Sequence, residues 1–309
     1  MCKKLIALLL VLLMLPVASL AVPVQLSSPD DVPETDENGF LPEGSDPVYY
    51  KDHTAGYWLY VDDSVRVEIT RNQTKKPLLT WYLADIVLNE GSSLYTVSWN
   101  EDKPGKTNGL PQDMADRVHA VYAQSGDFYS YRVANDRYPG NIVRDGKVLY
   151  NKSYSKLIDA IPNLANMAIY PSGKAEVSEA WEVSAKEYVQ KGATTVLAFG
   201  PLLLRDGEIQ DVDKDEYNHQ EPRSCLGIIE PGHYVGLLVE GRKSHSDGAT
   251  LTQCAELLAD YGAWDAINLD GGNTAAMLFM GESVQLTEMG GVDTNDRAIP
   301  DIIAAGHYE

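Results

Sequence analysis

The sequence has little of three things: cysteine, positive charge and long apolar runs. Its three cysteines in 309 residues are too few for a disulfide scaffold, and a chain of this length can bury a core without disulfides. Lys and Arg number 25 against 45 Asp and Glu, so the formal net charge is −20. Because binding to a polyanion requires Lys and Arg to displace counterions, this acidity argues against a nucleic-acid partner.

The longest apolar run lies at the N-terminus. Lys3 and Lys4 precede an uninterrupted apolar segment from Leu5 to Leu15, and Ala21 follows small residues at the spacing that signal peptidases cleave. We therefore expect residues 1–21 to be a signal peptide cleaved near Ala21, and the mature chain to be secreted or associated with the cell envelope. No later segment approaches the roughly 18 apolar residues of a membrane helix, so no transmembrane span is expected in the mature chain.

Two cysteines, Cys225 and Cys254, remain after this cleavage. In an oxidising compartment they could form a disulfide. Alternatively they are two buried thiols, one in a strand and one in a helix. The sequence leaves both interpretations open.

Composition and periodicity divide the rest of the chain. Residues 22–48 are rich in Pro, Asp, Glu and Ser with almost no apolar periodicity, which predicts a disordered acidic linker. From Trp58 to Ile69 apolar and polar residues alternate, and further strand patterns follow. We predict one α+β domain over residues 49–309, with mixed, largely antiparallel sheets and a few covering helices. A separate small β-subdomain before Ala120 is the alternative.

Two segments have the spacing of amphipathic helices. The first runs from Val177 to Gln190, with Ser178 as the predicted N-cap. The second runs from Leu251 to Tyr261, and Gly262 follows it as the predicted C-cap.

A strand that ends in small polar residues is the first candidate for a site. The segment Trp-Asp-Ala-Ile-Asn-Leu-Asp-Gly-Gly-Asn-Thr spans residues 264–274, and its apolar part predicts a buried strand. Gly271 and Gly272 can adopt positive φ and have no Cβ, so backbone N–H groups and the Asp270 carboxylate can approach a ligand closely. Asp-Gly-Gly is also a common turn, so the assignment depends on the motifs around it.

A second carboxylate stands in a similar position. The apolar strand predicted from Ala120 ends at Gly126-Asp127, which places Asp127 just past a strand. The alternative is a turn aspartate that accepts hydrogen bonds from local backbone N–H groups.

Two arginines lie at neighbouring ends of a predicted hairpin. Arg223 opens the first strand and Arg242 follows the second, so in an antiparallel pair both guanidinium groups can point into one space. Two such planar donors form a site for a phosphate or carboxylate group. The alternative is two unrelated surface arginines. The N-terminus of the helix predicted at Leu251 adds a positive dipole end to the same neighbourhood.

Five motifs in a fixed order resemble the phosphodiester glycosidase family. They are Gly200-Pro201 with the Arg-Asp-Gly hairpin after it, Pro222-Arg223 with Gly227-Ile228, Val239-Glu240-Gly241-Arg242, Ser246-Asp247-Gly248-Ala249-Thr250-Leu251, and Asn268-Leu269-Asp270-Gly271-Gly272. The resemblance extends from about Ala120 to Ala304. Asn273 and Thr274 stand where the family usually has glycine and serine.

The resemblance implies a hydrolase that cleaves a sugar-1-phosphodiester, similar to an N-acetylglucosamine-1-phosphodiester, in cell-envelope or extracellular glycans. Asp270, Asp127, Arg223 and Arg242 are the expected catalytic residues. The carboxylates would assist the reaction at the anomeric carbon, and the arginines would stabilise the leaving phosphate. The expected substrate-binding residues are Asn268, Gly271, Gly272, Asn273, Thr274 and Asp247. We expect no cofactor and no metal.

Two other functions remain open. The altered loop at Asn273 is compatible with a non-catalytic envelope glycan-binding module of the same fold. A metal-dependent phosphoesterase ranks last, because His219, His233 and His245 are scattered and form no pair at ligand spacing.

Overall fold

The computed structural model of the chain describes residues 22–127, 139–152, 164–212, 218–286 and 297–308. The predicted signal peptide, residues 1–21, lies outside the described residues. Within them the chain is mostly β, with three α-helices and mixed, largely antiparallel sheets. The predicted fold class is therefore confirmed.

The strands are numbered in chain order. They are β1 (Val24–Gln25), β2 (Val48–Asp52), β3 (Tyr57–Val61), β4 (Val65–Lys75), β5 (Leu78–Leu88), β6 (Tyr95–Ser98), β7 (Ala120–Ser125), β8 (Gly140–Arg144), β9 (Lys147–Lys152), β10 (Ala165–Ile169), β11 (Ala175–Glu179), β12 (Thr195–Phe199), β13 (Leu202–Arg205), β14 (Glu208–Ile209), β15 (Arg223–Glu230), β16 (His233–Val239), β17 (Asp265–Asn268), β18 (Met277–Phe279), β19 (Glu282–Ser283) and β20 (Asp301–His307).

The largest sheet has ten strands in the order β1-β2-β3-β4-β5-β16-β15-β17-β13-β14. β1 pairs with β2 in parallel, and the other pairs are antiparallel. β5 pairs with β16 over seven residues, from His233 opposite Val87 to Val239 opposite Trp81. The first third of the described chain is therefore continuous with the sheet that carries the candidate site, which differs from a separate β-subdomain before Ala120.

Two five-stranded sheets pack against the large one. Their orders are β11-β10-β12-β8-β9 and β19-β18-β7-β20-β6. One apolar core contains side chains from all three sheets, among them Ile86, Leu226, Met167, Leu197 and Phe279. The alternation in β4, where Val65, Val67 and Ile69 are buried between half-exposed residues, places one face of the large sheet in this core.

The three α-helices are α1 (Pro111–Arg117), α2 (Ala185–Gln190) and α3 (Leu251–Tyr261). α3 covers the other face of the large sheet through Leu251, Cys254, Ala255 and Leu258. Its predicted bounds are confirmed, because Thr250 forms a capping box with Gln253 and Gly262 ends the helix with φ 104°.

The other helix prediction was too long. Residues 175–179 form β11, and α2 begins only at Ala185, where the side chain of Ser184 accepts a hydrogen bond from the Glu187 N–H. Ser178 is therefore not an N-cap. Its hydroxyl instead lies in a buried polar cluster, where Tyr188 and Asn166 donate to it at 2.8 and 3.1 Å. Because β11 pairs with β10 over five residues, sheet pairing overrides the local helix pattern.

The segment predicted as a disordered linker is packed in the structure. β1 pairs with β2, and the Asp36 carboxylate accepts hydrogen bonds from the N–H groups of Asn38 and Phe40. Phe40 and Leu41 are buried, and Leu41 packs on β2 and β3. Two apolar residues and one aspartate-centred turn thus attach a segment that composition alone classes as solvated.

Candidate active site

The loop that follows β17 is bound to the rest of the protein on two sides. On one side, the Asp270 N–H donates to the Gly126 carbonyl at 3.2 Å and Ser125 Oγ donates to the Asp270 carbonyl at 3.1 Å. On the other side, the Gly272 N–H donates to the Pro222 carbonyl at 2.8 Å. The backbone of the Asp-Gly-Gly segment is therefore fixed, and Asp270 itself is partly exposed at the end of a buried strand.

Glycines from three of the predicted motifs pack on the same short backbone segment. A Cβ on Gly271 would meet the Pro222 carbonyl oxygen at 2.8 Å, and one on Gly241 would meet the Pro222 nitrogen at 2.8 Å. A Cβ on Gly248 would lie 2.7 Å from the Glu221 carbonyl carbon. Only glycine allows so close an approach, so the spacing of these motifs reflects three loops that meet at Glu221-Pro222.

Arg242 connects two of these loops. Its backbone is in the left-handed region with φ 58°, and its side chain is half exposed. Nη1 donates to Asn273 Oδ1 at 2.7 Å, and Nη2 forms an ion pair with Glu221 Oε2 at 2.5 Å. Nη2 also lies 4.0 Å from where a Cβ on Gly272 would be, so the guanidinium group lies beside the Asp-Gly-Gly loop.

The last residues of the loop turn it back into the fold. Thr274 Oγ1 donates to the Gly271 carbonyl at 2.5 Å, which closes a short 3₁₀ turn over residues 272–274. Thr274 therefore stabilises the loop by its hydroxyl, while Asn273 is exposed and faces Arg242. Of the predicted substrate-binding set, these two residues, Gly271 and Gly272 are brought together with Arg242 and Asp270.

Arg223 does not share the position of Arg242. It is 7% exposed, and its guanidinium group donates to backbone carbonyls, from Nε to Ala249 at 3.0 Å and from Nη2 to His219 at 2.5 Å. Both arginines thus contact the segment 219–223, but their guanidinium groups have different partners and do not converge on one space. Arg223 holds the start of β15 against the chain that leads into α3, and its predicted role as a catalytic cation stays a prediction.

Asp127 lies in a buried ion-pair cluster. Its side chain has no exposed area, Arg144 Nη2 pairs with its Oδ1, and the Ala198 N–H donates to its Oδ2 at 2.5 Å. Arg144 also contacts Asp301 Oδ2 at 2.8 Å. Burial alone would lower the pKa of Arg144, but Asp127 and Asp301 raise it above its usual value.

These contacts favour a structural role for Asp127, which differs from the catalytic role predicted for it. Its neighbour Gly126 accepts the Asp270 N–H, and the Gly126 N–H donates to the Asp301 carbonyl at 3.1 Å. The cluster therefore supports the backbone under Asp270.

Asn268 and Asp247 are the other predicted sugar ligands. Asn268 is 3% exposed, and its Nδ2 donates to the Gly200 carbonyl at 2.9 Å while its Oδ1 accepts from Cys225 Sγ at 3.6 Å. Its amide therefore stabilises the Gly200-Pro201 turn, and its predicted contact with sugar hydroxyls stays a prediction. Asp247 is exposed, and its N–H donates to the Leu78 carbonyl at 2.9 Å, which places it at the same end of the large sheet as Arg242.

Sequence reasoning missed four charged residues around the site. Glu221 pairs with Arg242, Arg144 and Asp301 form the cluster with Asp127, and Glu240 is fully buried beside the turn that carries Arg242. Glu240 lies within the motif Val239-Glu240-Gly241-Arg242 and Glu221 directly precedes Pro222-Arg223, so position relative to the motifs is the one signal that could have indicated them. Arg144 and Asp301 have no local signal, because only folding brings them to Asp127.

A cavity of about 680 Å³ lies at the opposite end of the large sheet. Its lining includes Tyr60, Asp62, Tyr95 and His307 and none of the predicted site residues. The antiparallel register explains the separation: Val65 pairs with Leu88 at the cavity end of β4 and β5, whereas Leu78, beside Asp247, lies at the other end. The cavity is thus a separate feature from the Asp-Gly-Gly loop.

The residues that the structure describes have neither a metal-ligand cluster nor a membrane-spanning helix. In that part of the chain no three His, Cys, Asp or Glu side chains are grouped so that they could hold a metal ion. No helix there is both long and apolar enough to cross a membrane.

Comparison with solved structures supports the fold. A solved structure of the zebrafish N-acetylglucosamine-1-phosphodiester alpha-N-acetylglucosaminidase catalytic domain, auto-inhibited by its pro-peptide, matches with a TM-score of 0.58 at 19% identity, covering 79% of this chain and 83% of that one. A hypothetical protein from Synechocystis matches with a TM-score of 0.59 at 11% identity, covering 85% of this chain and 64% of that one. At these identities the two structures support the fold alone.

A search of curated proteins gives no significant match. The sequence profile described as phosphodiester glycosidase matches residues 118–305, which agrees with the extent expected from the five motifs. This match covers more than half of the chain and includes Asp270, Arg242 and the three glycines that meet at Glu221-Pro222. The chain belongs to the phosphodiester glycosidase family.

Proposed function

We propose that this protein is an exported hydrolase that cleaves a sugar-1-phosphodiester at the bond between the anomeric carbon and the phosphate oxygen. The observation that carries the proposal is the position of Arg242 beside the loop that begins with Asp270. One carboxylate and one guanidinium group thus lie at the end of a buried strand, on a backbone whose hydrogen bonds leave it little freedom.

The chemistry that such a pair can perform fits a glycosyl phosphodiester. As the bond breaks, positive charge develops at the anomeric carbon and negative charge on the leaving phosphate monoester. The Asp270 carboxylate would stabilise the developing oxocarbenium ion, add to it, or deprotonate the attacking water. Arg242 would stabilise the phosphate through two N–H donors of its planar group.

Family membership supports the reaction type, and the zebrafish relative supports a substrate class. That enzyme is named for its action on an N-acetylglucosamine-1-phosphodiester. For this chain we propose a glycosyl phosphodiester of the same kind, in cell-envelope or extracellular glycans. Export rests on the sequence of residues 1–21, as does the proposed location outside the cytoplasm.

A second candidate is a glycan-binding module without turnover. It is favoured by the partners of Arg242, because Asn273 and Glu221 occupy its two terminal nitrogens. An arginine that is neutralised by Glu221 offers less charge to a leaving phosphate. If the protein is a hydrolase, phosphate oxygens of the substrate must replace Asn273 and Glu221 as the partners of Arg242.

The test is an assay of the purified mature protein on synthetic α-N-acetylglucosamine-1-phosphate esters. Hydrolysis should release free sugar and a phosphate monoester in equal amounts. A reducing-sugar assay measures the sugar, and ³¹P NMR measures the phosphate monoester. Saturable binding measured by calorimetry, without release of either product, would instead favour the binding module. A matched ester of glucose-1-phosphate, which lacks the acetamido group, reports the contribution of the sugar.

A further inference from the structure

Glu240 is a fully buried carboxylate that the proposed reaction does not use. It follows directly after β16, and its side chain has no exposed area. Oε1 accepts hydrogen bonds from Tyr82 Oη at 2.6 Å and from the Leu286 N–H at 3.0 Å. Oε2 lies 2.9 Å from both Lys243 Nζ and His245 Nε2. A buried charge is costly unless it is paired, and four partners on two oxygens satisfy this one.

Three of these partners belong to two segments that are distant in the chain, and the fourth, Tyr82, lies on β5. Lys243 and His245 lie on the tight turn that follows Arg242, where the backbones of Lys243 and Ser246 exchange two hydrogen bonds of 3.1 Å. Leu286 lies just beyond β19. Its N–H donates to Glu240 and its carbonyl accepts from Lys243 Nζ at 2.7 Å. The carboxylate and the ammonium group together thus bind both backbone polar groups of one residue, Leu286.

These contacts lie directly beside Arg242. On one side of this arginine, Gly241 packs against the Pro222 nitrogen, and on the other side Lys243 is bound to Glu240. Arg242 has the strained left-handed backbone between these fixed neighbours. Its long side chain is half exposed, so the direction of the guanidinium group depends on how firmly its backbone is held.

We propose that Glu240 is a positioning residue that acts through Arg242, by fixing the turn over residues 242–246 to the segment at Leu286. The proposal rests on the role that the proposed function gives to Arg242. It assigns no contact between Glu240 and substrate, since the carboxylate is buried and fully engaged.

A double-mutant cycle tests this proposal. In Glu240→Gln the side-chain amide must face two of the four donors with an N–H₂ group, so the turn loses part of its attachment. We expect kcat/KM to fall about 10- to 100-fold, because a displacement of about 1 Å at a catalytic group can cost 100-fold. In an Arg242→Asn background, where Asn tolerates positive φ, the same change should cost less than about 3-fold.

An equal loss in both backgrounds would overturn the proposal, because a purely structural defect lowers the amount of active protein regardless of Arg242. Lys243→Met is the second variant if Glu240→Gln does not fold. It keeps the aliphatic stem, removes the link to Leu286 and should show the same dependence on Arg242. Tyr82→Phe is the matched control, since it removes one donor from Glu240 on the side away from the turn, and should cost less than about 3-fold.

The outcome is separable from that of the proposed function. If the wild-type protein shows no turnover of glycosyl phosphodiesters, the proposed hydrolysis fails, and the same cycle is measured on the Kd of a glycosyl phosphonate. Non-additive losses of affinity would still support Glu240 acting through Arg242. Additive losses, or none, would reject it.

Discussion

Arg242 donates a hydrogen bond of 2.7 Å to the side chain of Asn273, although the two residues are 31 positions apart. The contact joins the turn after β16 to the loop after β17. Asn273 is also the position at which the loop departs from the glycine usual in the family. The substitution therefore adds a partner for the candidate phosphate-binding arginine, and it makes the loop and the arginine one unit.

Asp270→Asn should abolish most of the turnover while the protein stays folded. The change removes the charge that would serve the anomeric carbon, and a positioned acid or base contributes about 10²- to 10⁴-fold to the rate. Release of phosphate monoester measures the loss, and circular dichroism checks the fold. Asp265→Asn, at the opposite end of the same strand, is the matched control and should retain activity. Full activity of Asp270→Asn would remove Asp270 from the site.

Arg242→Lys should reduce kcat more for substrates with poor leaving groups than for those with good ones. A lysine keeps the charge but loses the planar fork that contacts Asn273 and Glu221. Because this ion pair is half exposed, the free energy of unfolding should change by less than about 1 kcal/mol. A series of glycosyl aryl phosphodiesters, in which the aryl group sets the pKa of the departing aryl phosphate, measures the dependence, with Arg205→Lys as the exposed control. Equal losses across the series would contradict a role at the leaving phosphate.

Asn268→Ala should act on stability and not on substrate binding. The buried amide donates to the Gly200 carbonyl and accepts from Cys225, so its loss leaves that carbonyl without this donor. We expect the free energy of unfolding to fall by about 1 to 3 kcal/mol, measured by urea denaturation. The KM of the folded variant should match that of the wild type. A raised KM with unchanged stability would support the original prediction of a sugar ligand.

Asp127→Asn should destabilise the protein by about 3 to 5 kcal/mol, the usual cost of breaking a buried ion pair. An amide has one oxygen in place of two. Its N–H₂ group must therefore face either Arg144 or the Ala198 N–H, and both of these are donors. Chemical denaturation measures the loss, and Asp116→Asn, an exposed carboxylate elsewhere, serves as a control. If the variant is as stable as the wild type but inactive, Asp127 belongs to the catalytic residues after all.

The thiols of Cys225 and Cys254 should be unreactive in the native protein. Both are buried, and burial together with the hydrogen bond between the two thiols raises the pKa of Cys225 well above its usual value. The folded chain therefore keeps a proton that the unfolded chain loses above about pH 8.5, so stability should fall as the pH rises past that value. Labelling with iodoacetamide, with and without denaturant, and unfolding between pH 7 and 10 measure these effects. Rapid native labelling, or a disulfide in the mature protein, would contradict the thiol state.

Local sequence patterns were sufficient for the features whose cause is local. The helix from about Leu251 to Tyr261 was predicted correctly, because its apolar spacing and its C-terminal glycine are short-range signals. The hairpin of β15 and β16 and the strand before Asp270 were predicted for the same reason. The glycines of the family motifs were recognised through the resemblance alone, because their cause, contact with the backbone at Glu221 and Pro222, is not local.

Partners that are distant in the chain were beyond prediction. Nothing near Asp127 indicates that Arg144 neutralises it, and nothing near Asn268 indicates that its amide closes the turn at Gly200. In both cases a polar residue at a strand end has two physical uses, to face a ligand or to satisfy a buried group. The hydrogen-bonding partners around the residue decide which of the two roles it has, and these partners come together only on folding.

The sequence by itself determined the family, the fold class and the Asp-Gly-Gly loop at a strand end, because these follow from the order of short motifs and from apolar periodicity. Only the tertiary structure decided which polar residues face that loop. It placed Arg242 there, turned Arg223 onto backbone carbonyls and buried Glu240 and Asp127 among their partners. The physical reason is that a charge is either exposed to a ligand or paired in the interior, and the pairing depends on segments that meet only in the folded chain.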